Sequence, residues 1–177
     1  MLARRALLLG GVAILPAASI SLSSALSPAF AVDALPDARF VGYAQTTNDF
    51  EIASGRLALA KSVNENVRGF TSRMIAQHTE AAQFLSKARS EAGVSYAPGP
   101  QAPPNTVAIL QRLARLEGPE FHTSYANAQL AVLTDAELQI GAYSQNGGNG
   151  ALRRYAQNKL PRVTMHLEHA RRLAGGR

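Results

Sequence analysis

The chain contains no cysteine, which excludes disulfides and leaves packing to stabilise the fold. It also leaves no thiol near the N-terminal region for a lipoprotein anchor. No segment alternates apolar and polar residues with the period of two expected of a half-buried strand, and no internal repeat is visible. The Glu-x-x-His pairs that di-iron helical bundles carry on two helices are missing. Ile75 stands where a glutamate would have to precede His78, and Val163 where one would have to precede His166. That argues against ferroxidase or di-iron oxygenase chemistry. His166-Leu167-Glu168-His169 lacks the histidine spacing of zinc proteases. With no high-specificity catalytic signature present, an enzyme is the less favoured class.

What is present begins with a leader. Arg4 and Arg5 precede an apolar run from Ala6 to about Ile20, and Ala29-Phe30-Ala31 is a small-x-small cleavage pattern. Residues 1–31 are expected to be a secretory signal peptide, cut after Ala31 to leave Val32 first. A transmembrane anchor is the competing reading, against which the run is short and broken by Pro16 and Pro28. Arg4-Arg5 also resembles a twin-arginine signal, so Sec and Tat export both stay open. The expected location is the periplasm or cell envelope, with no transmembrane helix in the mature protein. Residues 32–177 fit one domain, large enough to bury roughly 68% of its unfolded surface. Two of the cations behind the formal net charge of +6 lie in the leader. The basic remainder suits an anionic envelope surface or a protein partner, and nucleic acid is not expected in that compartment.

From Ala38 onward apolar residues recur every three or four positions, the period of an amphipathic helix. The first helix is expected over Phe40 to about Ser62, with Asp33 or Asp37 as cap. The second runs from Val67 past Ala88, capped by Asn64 and stopped by Gly93. Four prolines and a glycine between Val94 and Pro104 exclude regular structure there. Asn105 caps a short helix, Thr106 to Glu117. Gly118-Pro119-Glu120 opens a long one that ends at Gly147-Gly148, with Gly141 suggesting close helix approach. The last spans Ala151 to Ala174, where Pro161 is expected to produce a kink. Short links make two antiparallel hairpins and the middle segment a crossover. The fold class is therefore all-α: a ferritin-like four-helix bundle whose crossover contains one short extra helix.

Several local patterns occur in a fixed order: Phe50-Glu51 with Gly55-Arg56-Leu57-Ala58, Phe70 to Met74 with Gln77-His78, Phe121 to Tyr125, Leu160-Pro161, and His166-Leu167. Together they resemble the DUF4142 family of exported bacterial proteins over nearly all of residues 32–177. The resemblance implies a ferritin-like helical bundle in the cell envelope, of uncharacterised function, and carries no established catalytic residues. This chain departs from the family pattern at His122, where Phe-Asp is common, and at Leu133, where a histidine is common. A ligand set taken from the family would therefore lack one contributor here.

Two polar residues interrupt the apolar stripes of the first two helices, Glu51 and His78. Counting from the tight turns at about 1.5 Å per residue puts them at one height, with His166 close to mid-bundle and Gln129 and Leu133 opposite. One carboxylate and two imidazoles from three helices suit a single Fe, Zn or Mn ion with open coordination positions. A buried polar network of Glu51, His78, Gln129 and His166 that fixes helix register is the preferred reading. An acid–base pair is the third. Tyr43 and Tyr125 are expected in the core with their hydroxyls satisfied, His169 at the edge of its stripe, and His122 near the surface. The last helix carries Arg153, Arg154, Lys159, Arg162, Arg171 and Arg172, followed by Arg177, against Glu168. That basic face reads as solvated surface, or as an adhesion face using Arg154, Arg162 and Arg172. No aromatics interleave for nucleic-acid stacking.

Overall fold

The computed structural model describes residues 32–62, 64–95 and 105–175. The expected signal peptide, most of the proline-rich connection and Arg177 lie outside the described residues.

Among the described residues five helices follow in order: α1 (Asp37–Lys61), α2 (Glu65–Ala92), α3 (Thr106–Arg115), α4 (Gly118–Asn146) and α5 (Gly150–Ala174). Their ends follow local chemistry. The Asn64 side chain accepts from the amides of Asn66 and Val67, and Gly93 ends α2 in the left-handed region at φ 65°. Asn105 and Asn149 cap α3 and α5 in the same way. At α1 the expectation fails, because Pro36 is the capping residue and no side chain serves it. Asp37 instead accepts a hydrogen bond from the Tyr143 hydroxyl at 2.6 Å, tying α1 to the end of α4. α5 is one continuous helix through Pro161.

The four long helices form a bundle in which α1 packs on α2 and α4, and α5 on α2 and α4. Paired residues give the directions. Asn48 meets His78 while Gly55 lies against Thr71 and Ile75, so α1 and α2 are antiparallel. Tyr43 with Asp135 and Ser54 with Gln129 make α1 and α4 antiparallel. Glu137 with Thr164 and Ser144 with Gln157 do the same for α4 and α5. α2 and α4 therefore run the same way, and the chain between them must travel the length of the bundle. α3 is part of that crossover and packs on α1 and α4. Lys61 holds it there, donating to the carbonyls of Ala114 and Leu116.

The core has two parts. One is built on Phe40, whose ring stacks on Tyr143 at 3.7 Å. The other gathers Phe50, Leu113, Phe121 and Tyr125 beneath α3. Close helix approach occurs at Gly55 rather than at Gly141. A Cβ on Gly55 would stand 2.8 Å from Ile75 Cγ1, whereas one on Gly141 would meet only Leu160 at an ordinary 3.9 Å. Among the described residues no helix is long and apolar enough to cross a membrane.

Candidate functional site

Helical spacing lines up polar side chains on the inward stripe of each long helix: Asn48, Glu51 and Ser54 on α1, Thr71 and His78 on α2, Tyr125 and Gln129 on α4, and Tyr155, Lys159 and His166 on α5. All ten are buried. Glu51, His78 and Gln129 are each 0% exposed, His166 2% and Lys159 4%. The three residues proposed from sequence as a metal triad thus lie inside the bundle, and the His78 and His166 rings are 5.7 Å apart.

Lys159 corrects the sequence reading, which places it on the basic face. Its position is set by the helix period, since Ala156, Lys159, Val163, His166 and Ala170 occupy the buried side of α5. The stripe was legible; the charge concealed it.

The hydrogen bonds run in four separate sets. Tyr155 Oη accepts from Asn48 Nδ2 at 3.3 Å, Asn48 Oδ1 lies 3.0 Å from His78 Nδ1, and Lys159 Nζ lies 3.4 Å from the same nitrogen. Gln129 Nε2 donates to Ser54 Oγ at 3.2 Å. Thr71 and Tyr125 share a hydroxyl contact at 3.3 Å, which satisfies Tyr125 as expected, and Tyr43 finds Asp135 at 2.7 Å. Within this layer five buried atoms have no hydrogen-bond partner among the described residues: both Glu51 carboxyl oxygens, His78 Nε2, His166 Nε2 and Gln129 Oε1. The network expected to satisfy Glu51 and His78 through each other is therefore incomplete. Gln129, close enough to favour the ionised carboxylate, spends its amide on Ser54.

Burial sets the protonation states. Desolvation pushes the Glu51 carboxyl up to about 8, against the pull of Gln129 and Lys159. It draws Lys159 down to about 8, opposed by Glu51. His166 falls to about 4, first through desolvation and then through the cations Lys159, His169, Arg162 and Arg73. His78 falls well below the usual imidazole range for the same first reason, with Lys159 and His166 adding to it. At neutral pH the layer holds an uncharged Glu51, two neutral imidazoles and a largely cationic Lys159.

Among the described residues no group of three His, Asp or Glu side chains is arranged to hold a metal ion. The Lys159 ammonium repels cations from the His78 imidazole that it touches. His122 stands apart from the layer, half-buried beside Phe121 with its Nε2 unpartnered. Leu133 is fully buried in the apolar core. His169 sits at the edge of α5, stacked on Phe70 at 4.3 Å.

The basic face is largely neutralised. Arg162 pairs with Glu80, Arg171 with Glu168, and Arg154 with Glu91 at 3.3 Å. Arg172 lies 3.3 Å from His169 Nδ1.

A family model described as a domain of unknown function, DUF4142, matches residues 23–173. The chain belongs to the DUF4142 family. No curated protein and no solved structure matches it. The match assigns no residue roles to this DUF4142 protein. What the buried layer does must be argued from its own geometry.

Proposed function

We propose that this DUF4142 protein is exported to the periplasm or cell envelope, folds as a ferritin-like four-helix bundle, and works without catalysis in a structural or partner-binding role. The antiparallel ring of four helices with one lengthwise crossover supports the ferritin-like topology. The leader Arg4-Arg5, the following apolar run and Ala29-Phe30-Ala31 support export. One observation carries the non-catalytic reading: the titratable groups that could do acid–base chemistry, Glu51, His78 and His166, are 0–2% exposed. Acid–base work by the Glu51–His78 pair would need substrate to reach them. The layer is better suited to fixing helix register, as buried polar groups do when a mismatched pairing would strand them.

Two experiments test this. Cell fractionation with N-terminal sequencing should find mature protein beginning at Val32 outside the cytosol; retention in the cytosol with the leader intact would overturn export. Replacing Glu51 and His78 together by leucine should leave helix content and melting temperature near wild type but broaden the amide NMR spectrum. A spectrum as sharp as wild type would reject the register role.

A second reading, one Fe, Zn or Mn ion held by Glu51, His78 and His166, is favoured by their unpartnered carboxylate and Nε2 atoms. It requires Lys159 to move aside. A melting shift on adding Zn(II), Mn(II) or Fe(II) that disappears in His78→Ala would establish it in place of the register role.

A further inference from the structure

A groove of about 470 Å³ runs along the outside of the bundle between α2 and α5, within the size range of small-molecule sites. Small side chains open it: Ala81 and Ala88 on α2 and Ala151 on α5. Phe84 lines it and is 55% exposed, an aromatic ring left in water. Two ion pairs between α2 and α5 border the groove, Glu80 with Arg162 and Glu91 with Arg154. Along α2 they are about 16 Å apart at 1.5 Å per residue. Both groove carboxylates are thereby engaged. Lys87 and Lys159, the other cations of the lining, have no salt-bridge partner among the described residues.

Lys159 joins this groove to the buried layer, and its hydrogen bonds do not balance. His78 Nδ1 is approached by Asn48 at 3.0 Å and by Lys159 at 3.4 Å. If Nδ1 carries its proton and donates to Asn48 Oδ1, it has no lone pair for the ammonium. If the Asn48 amide is turned to donate, one lone pair faces two donors. In either arrangement a donor is left over, and the ammonium has three N–H groups with His78 as its only hydrogen-bond contact among the described residues. A buried cation without a counterion costs several kcal/mol, so an anion delivered through the groove is strongly favoured.

We propose that this groove binds a small amphipathic monocarboxylate, its headgroup accepting from Lys159 and its apolar body lying on Phe84 between Ala81 and Ala88. A single charge fits because Lys159 offers one buried ammonium, while the bordering cations Arg162 and Arg154 are already engaged by Glu80 and Glu91. The apolar body is either a short alkyl chain or an aryl group. This goes beyond the register role of the layer, which stands whether or not the groove is occupied.

The test uses the protein of residues 32–177 with octanoate and 4-phenylbutyrate as probes, and octanamide as the uncharged control, followed by amide NMR and calorimetry. At least one carboxylate should bind saturably, with shifts at Ala81, Phe84 and Ala88, and octanamide at least tenfold more weakly. The preferred carboxylate identifies the alkyl or aryl source. Lys159→Met should lose at least tenfold in affinity, while Lys87→Met should change it by less than threefold. Should Lys159→Met not fold, acetylation of Lys159 in the wild-type protein, read by mass spectrometry, serves instead. The carboxylate that binds should slow it and octanamide should not. No saturable binding, equal binding of octanamide, undiminished binding by Lys159→Met, or unaltered acetylation would each overturn the proposal.

Discussion

Lys159 shows how a single side chain sets the character of the interior. Its ammonium is held among groups that burial has made neutral, and among the described residues it has no salt-bridge partner. Such a charge opposes folding, so removing it while keeping the volume should help. In the absence of ligand, Lys159→Met is expected to raise unfolding free energy by about 1–2 kcal/mol, measured by urea titration. Removing Glu51's charge capacity with Glu51→Gln should cost little at pH 6, where the carboxyl is already protonated. His78→Ala differs, because it leaves Asn48 Oδ1 without its His78 partner and opens a cavity beside Lys159. A loss of about 2–4 kcal/mol is expected.

At the scale of the elements, helix contacts rest on specific small residues. Gly55 lets α1 approach α2 so closely that a methyl group would press on Ile75 at 2.8 Å, at its Cγ1 rather than a flexible tip. Gly55→Ala is expected to lower stability by about 1–3 kcal/mol through overpacking. Gly141→Ala should do the reverse, raising it by up to about 1 kcal/mol, because the site has room and alanine is the better helix former. Thermal melts of the two variants read out opposite signs from one chemical change. Period and caps made the helices legible to within about three residues, since Asn64, Gly93, Asn105 and the Gly118-Pro119 start act locally. The role of the two glycines was not legible. Both interrupt a helix, and only the partner helix distinguishes the one that is needed.

For the whole molecule, the buried layer gives stability a pH profile with three windows. Between about 4.5 and 6.5 the unfolded chain protonates its histidines while His78 and His166 resist, so stability falls as pH drops. Glu51 opposes this, because the folded state keeps its proton up to about 8, but it offsets only one of the two imidazoles. From about 6.5 to 8 only Glu51 of the layer still differs between the states, and stability falls as pH rises. From about 8 to 10.5 the unfolded chain keeps the Lys159 proton that the folded state has lost, and stability rises with pH. The charges flanking these groups are Glu80 and Arg73 on α2 and Arg162 and His169 on α5. Half-exposed His169 adds a small share to the acid window. Urea unfolding measured across pH 4 to 10.5 should show a local maximum near 6.5 and a minimum near 8, and Glu51→Gln should abolish the decline between them.

The sequence alone determined the helices, their order, the crossover and the family, because helix period, caps and breakers are properties of neighbouring residues. It also brought Glu51, His78, Gln129 and His166 to the interior, since a polar residue on an apolar stripe has nowhere else to point. Only the tertiary structure decided what those residues meet. It placed Lys159 among them, turned Asn48 to His78 and Gln129 to Ser54, and left the Glu51 oxygens without partners. The physical reason is range. Periodicity fixes which way a side chain faces, but hydrogen bonds are made within about 3 Å, and that distance depends on how four helices settle against one another.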